Sequence, residues 1–252
     1  MTDPEIQAQS LSPTRPSTWL DLVLYLVVGY GLIVVIDIGL SLAFRGEISI
    51  VLTFALYIAN ALILGGTVYL LGVLRGRTTW GEIGVLPKAW KWDWLWIAMA
   101  IVVVSVPARA ILGLVAQQLL GIDVRELQGR MALLLAGGGF TWLSFGLTLL
   151  GAGIIAPMAE EVYFRGLIHR WFVPRMGFWP RVLLSSVIFG LAHIDSVVVM
   201  LSAFVLGVIN AFAYEKSRSL WLPILVHMGT NSVAVVLLYL IVAFMPRALT
   251  GT

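Results

Sequence analysis

ISIVLTFALYIANALILGGTVYLLGVL, from Ile48 to Leu74, carries no charged side chain along its whole length. A helix rising 1.5 Å per residue needs about 20 residues to cross a hydrocarbon core of about 30 Å. The stretch exceeds that length. Its apolar residues run continuously instead of alternating, which rules out a strand of a membrane barrel. Backbone groups left unpaired in lipid cost several kcal/mol each, so a helix is the remaining solution. Similar stretches run from about Trp19 to Phe44, Trp94 to Leu120, Phe140 onward, and Leu220 to Phe244. Shorter apolar segments lie at about Val182 to His193 and Val197 to Tyr214. The expected fold is all-α, a multi-pass transmembrane helical bundle of seven or eight helices.

Composition agrees. Of 252 residues, 60% are apolar and 12% charged, with a mean hydropathy of +0.98; soluble domains average roughly 45–50% and about 25%. The net charge of +3 does not indicate nucleic acid, because the basic residues sit in short loops between apolar segments, where they act as topology signals. The loop with Arg75, Arg77, Lys88 and Lys91 beside Trp80, Trp90, Trp92, Trp94 and Trp96 reads as a headgroup-level anchor on the cytoplasmic side. The loop holding Asp123, Arg125, Glu126 and Arg130 and ending in Gly137-Gly138-Gly139 then lies outside, and Glu215 to Arg218 returns to the cytoplasm, as does the N-terminus. Residues 1–18, polar and with Pro4, Pro13 and Pro16, read as a disordered tail; residues 19–139 form N-terminal spans; residues 140–252 hold the chemistry.

With no cysteine, that chemistry falls to carboxylates, imidazoles, hydroxyls and lysines. Ionisable groups within membrane spans cost about 2.5–3.5 kcal/mol to insert, so each calls for a partner or a task. Glu160 and Glu161 are adjacent, and Arg165 lies four residues after Glu161 on the same helix face. Phe189 and His193 share that spacing, as do His227 and Asn231. Two glutamates, an arginine, two histidines and an amide thus come from three apolar helices, the way bundles build sites. His169, amid Arg165, Arg170 and Arg175, is expected at the surface. Asp37, Asn60 and Arg109 are expected to pair with one another or to line the same cavity. Ser185 and Ser186 lack the context of a serine nucleophile. Pro157 and Pro223 precede the Glu pair and His227, where they free backbone carbonyls and kink helices.

Read in order, EExxxR (Glu160 to Arg165), FxxxH (Phe189 to His193) and HxxxN (His227 to Asn231) resemble the CPBP family, the CAAX proteases and bacteriocin-processing enzymes also called Abi. Each motif alone is weak, whereas the ordered triplet is specific, and the resemblance covers about Phe140 to Phe244. It implies an intramembrane glutamate-dependent endopeptidase whose motif residues line a wet cavity near the cytoplasmic face. Carried over, Glu160 is the general base, His193 orients or activates water, His227 and Asn231 stabilise the oxyanion, and Glu161 and Arg165 form the supporting ion pair. The substrate implied is a peptide or protein, prenylated at its C-terminus in one branch of the family. Two His and one Glu also suit Zn²⁺ with an open position for water, so a metalloprotease and a metal-free mechanism both stand, as does the question of which carboxylate stays unpaired. Two rivals remain: a non-proteolytic scaffold or immunity-type protein of the same fold, and a transporter.

Overall fold

The structure, a computed structural model, describes residues 15–44, 49–86, 89–122, 135, 140–194 and 196–244. The polar tail up to residue 14, Lys88, the loop residues Asp123, Arg125, Glu126 and Arg130, and the glycine run at 137–139 lie outside the described residues.

Eight helices are seen among the described residues, and no strand. Helix α1 comprises Trp19–Leu24, Tyr25–Gly31 and Leu32–Phe44; α2 comprises Ile50–Thr67 and Val68–Val73; α3 is the short Trp80–Ile83; α4 is Asp93–Leu120. Helix α5 spans Trp142–Phe172, α6 is Phe178–Leu191, α7 is Val197–Ser217 and α8 is Trp221–Phe244. Six of these are long and apolar enough to cross a membrane. Helix α6 starts before Pro180, earlier than the apolar pattern alone implies. Proline is tolerated in the first turn, where its missing N–H would have no partner anyway.

The bundle is inside-out relative to a soluble protein. Leu62 and Val104 are each 70% exposed, whereas Glu161, His169 and Asn210 are fully buried. Lipid is as apolar as leucine, so polar contacts and close packing hold the helices together. Tyr163 Oη donates to the Tyr25 carbonyl at 2.7 Å, and the Tyr163 ring occupies the space where a Cβ at Gly29 would stand. That glycine sets how closely α1 approaches α5. Tyr30 Oη donates to the Ala192 carbonyl, fastening α1 to the end of α6 beside His193.

One end of the bundle gathers the chain ends of most helices. Asp21 pairs with Arg75 at 3.0 Å and Arg77 at 3.2 Å, Trp171 Nε1 donates to the Thr18 carbonyl at 2.7 Å, and Arg170 reaches the Glu82 carbonyl at 2.7 Å. Gly84 adopts φ +76°, and a Cβ there would meet Arg218 and Ser219 backbone at 2.8 Å. Through it α3 seats on the α7–α8 loop, where Leu220 N donates to the Gly84 carbonyl at 3.1 Å. Trp19, Trp92, Trp96 and Trp179 are exposed around this end, the arrangement of an interfacial aromatic belt.

Candidate active site

Helix α5 carries the glutamates, and its path is irregular. It widens into π-helical turns at Leu149–Ile155 and again at Phe164–His169, on either side of Ala156–Tyr163. Such turns are rare and concentrate at functional sites. The first ends for a visible reason. Ala156 N–H bonds back five residues to the Gly151 carbonyl, and the next donor in that series would be residue 157, a proline with no N–H. The Ala152 carbonyl is thereby left over, and Asn231 Nδ2 of α8 donates to it at 3.1 Å. Ser232 Oγ reaches the neighbouring Gly153 carbonyl at 3.3 Å. Pro157 thus frees a backbone acceptor, which helps to dock α8 onto α5.

The adjacent carboxylates have unlike surroundings. Glu161 is fully buried; its Oε1 accepts from His227 Nδ1 at 2.7 Å and from Asn210 Nδ2 at 2.9 Å. Arg165 Nε stands 3.1 Å from Oε2 as an ion pair whose N–H is not aimed along a hydrogen bond. Arg165 Nη2 donates to the Gly207 carbonyl at 3.0 Å, and its guanidinium lies 4.6 Å from the Phe189 ring centre. Glu160 is more open: its side chain is 22% exposed and its Oε2 lies 3.8 Å from His227 Nε2.

Both imidazoles are held by the same atom. His227 Nδ1 is spent on Glu161, and His193 Nδ1 lies 2.9 Å from the Phe189 carbonyl, which can only accept. In each ring Nδ1 therefore carries a proton, and in His227 Nε2 is turned toward Glu160. The Phe189 ring lies between them, 5.0 Å from His193 and 5.6 Å from His227, edge-on to both. Glu160, Glu161, Arg165, His193, His227 and Asn231 are thus drawn around one place by α5, α6 and α8.

A family model described as type II CAAX prenyl endopeptidase Rce1-like matches residues 141–233. A putative membrane peptidase, YdiL, of Bacillus subtilis is 32% identical over 91 residues, which is 36% of this chain and 37% of that protein. Over this segment the chain is similar to the CAAX-type membrane peptidases. An uncharacterized 24.3 kDa protein of Escherichia coli is 34% identical over 90 residues, 34% of this chain and 42% of its own length. The matched segment spans about two-fifths of each of these curated relatives. No solved structure matches the chain.

The family match opens at the Thr141 cap of α5 and closes just past Asn231, and within it the site also depends on a residue outside the motifs. Asn210 on α7 is that residue, and the Phe189 ring, within the FxxxH motif, is equally central. A lone amide in an apolar helix gives no directional signal; Phe189 was marked by its spacing to His193. His169 requires a correction: it is fully buried, not at the surface. Its Nδ1 lies 2.8 Å from Ser185 Oγ and its Nε2 2.9 Å from Glu215 Oε1, while Arg181 Nε grips the same Glu215 oxygen at 2.5 Å. The spacing Glu161, Arg165, His169 places the ring on the inward face, a signal outweighed by its basic neighbours. Asp37, Asn60 and Arg109 do not meet: Arg109 Nε bonds Ser202 Oγ at 2.9 Å, Asn60 Oδ1 is buried with no hydrogen-bond partner, and Asp37 is exposed.

Among the described residues no three of His, Cys, Asp and Glu gather as a metal ion would require. Glu160 Oε2 and His227 Nε2, 3.8 Å apart, would be two ligands of a zinc ion, and no third of these groups joins them among the described residues.

Proposed function

We propose that the chain is an intramembrane endopeptidase of the CAAX-processing type in which Glu160 activates the attacking water. The observation that carries this reading is the division of labour between neighbouring carboxylates. Glu161 is consumed by His227, Asn210 and Arg165, while Glu160 is partly exposed and faces His227 Nε2. A carboxylate with spare acceptor capacity and access to water is the one able to take a proton.

In this reaction Glu160 removes a proton from water and the hydroxide attacks the peptide carbonyl carbon. Asn231 has a second N–H beyond the one given to Ala152, and it steadies the oxyanion. His227 in its doubly protonated form donates through Nε2 while Nδ1–H stays on Glu161. His193 helps to orient or activate the water. Collapse of the tetrahedral intermediate breaks the C–N bond, and Glu160 returns its proton to the departing amine. Products are a carboxylate and an amine, with no other reactant.

The substrate in this reading is a peptide or protein segment, prenylated at its C-terminus in the family's namesake branch, that reaches the site from the cytoplasm or the bilayer. Sidedness follows from charge. Arg75, Arg77, Arg170, Arg175, Lys216 and Arg218 cluster at one end of the bundle and outnumber Arg45, Arg125, Arg130 and Arg247, which follow the opposite helix ends in sequence. Under the positive-inside rule that basic end, with the start of α1, faces the cytoplasm.

The test is a Glu160→Ala variant in detergent or liposomes, assayed on a panel of prenylated and plain peptides. Loss of cleavage with normal folding supports the reading. Unchanged cleavage removes Glu160 as the base, and a phenotype in cells that survives the substitution favours a binding role instead. A bell-shaped pH profile, and activity that survives chelation with no metal in the purified protein, are the accompanying expectations.

A further inference from the structure

Resting on the peptidase reading, we infer that Asn210, outside the three motifs, is a positioning residue: it fixes the Glu161 carboxylate so that His227 keeps its proton on Nδ1 and presents Nε2 to the substrate. Asn210 comes from α7, which contributes none of the motif residues, and is fully buried. Its Nδ2 donates to Glu161 Oε1 at 2.9 Å, the same oxygen that receives His227 Nδ1 at 2.7 Å. Two donors on one oxygen, from α7 and α8, fix the carboxylate plane, since Arg165 on Oε2 is an ion pair without a directed hydrogen bond. Without Asn210 the carboxylate is free to turn, and the imidazole it holds turns with it.

The other half of the amide argues against simple packing. Asn210 Oδ1 is buried and accepts no hydrogen bond among the described residues. Leaving a buried acceptor unsatisfied costs about 1–3 kcal/mol, which a leucine at this position of an apolar helix would avoid. The orphaned oxygen is tolerated because the opposite end of the same group does something an apolar side chain cannot. Partners that orient a working imidazole from behind are worth about 10–100-fold in function where they have been removed from comparable sites.

The experiment compares Asn210→Val with Asn210→Thr, near-isosteric replacements that differ in one hydroxyl donor. We expect Asn210→Val to lower kcat by about tenfold or more with KM little changed, and Asn210→Thr to recover a substantial part. The pH–rate profile of Asn210→Val should differ from that of the wild type, while that of Asn210→Thr stays close to it. A second readout needs no turnover: with three histidines in the chain, ¹⁵N-imidazole spectra resolve His227, whose Nδ1–H signal should persist in wild type and Asn210→Thr and be lost to exchange in Asn210→Val. Equal kcat, equal pH profiles and equal His227 signals in the two variants would overturn the inference. If Asn210→Val does not fold, Asn210→Leu takes its place with the same expectations. Glu160→Ala in the same assay separates the two ideas: cleavage retained there removes Glu160 as the base, and no cleavage by the wild type sinks the peptidase reading, while the spectra still decide the role of Asn210.

Discussion

Two buried clusters in this protein are built from the same three residue types and share helix α5. In one, Glu161 takes His227 and Arg165; in the other, Glu215 takes His169 and Arg181. The difference lies in what is left over. Both nitrogens of His169 are occupied, by Ser185 and Glu215, and its ring is sealed from water. His227 spends one nitrogen on Glu161 and turns the other toward Glu160, a second carboxylate with partial exposure. A cluster whose donors and acceptors are all spent can hold helices together. One that keeps a nitrogen and a carboxylate in reserve can also move protons.

Exchanging the glutamates for glutamine is the sharpest way to break that distinction. Glu160→Gln should lower cleavage by about 10²–10⁴-fold with no loss of thermal stability, as for removal of a general base. A comparable loss of activity from Glu215→Gln would show that the two clusters are not functionally distinct. Glu161→Ala should fail on both counts, since it strands the Arg165 charge; breaking a buried pair in this way costs about 3–5 kcal/mol, read as a lower melting temperature in detergent together with lost turnover. His169→Ala should lower stability by about 1–3 kcal/mol through the unpaired Ser185 and Glu215 atoms, with cleavage per folded molecule retained. Ser232→Ala should be the mildest, under about 1 kcal/mol, because its bond to Gly153 is long at 3.3 Å; a large activity loss there would mean that the α5–α8 junction itself tunes the site.

The same contrast explains what could be read from the chain beforehand. The spans were legible because lipid demands unbroken apolar runs, and the Glu160, His193, His227 and Asn231 positions stood out against them as polar groups at helical spacing. The reach of Asn231 to Ala152 follows in part from Pro157, whose missing N–H was visible in the sequence, though the partner that answers it was not. His169 was misplaced because neighbouring arginines suggested water. Those arginines turn outward, Arg170 toward Glu82 and Arg175 over Trp171, while the histidine one turn beyond Arg165 continues the inward face. Asn210 was illegible because its role depends on a residue 49 positions away, and no local pattern encodes that meeting.

The order of partners around Glu161 also bears on how the chain is made. Arg165 follows it by a single turn, whereas Asn210 and His227 lie two and three helices downstream. During synthesis α5 must enter the bilayer before either of those has left the ribosome. The arginine is the one counter-ion that travels with the carboxylate, so it offsets the roughly 2.5–3.5 kcal/mol that an ionised group costs at the translocon. The nascent protein therefore inserts its buried acid as a self-neutralised pair, and the cluster around that acid is complete only once α8 arrives.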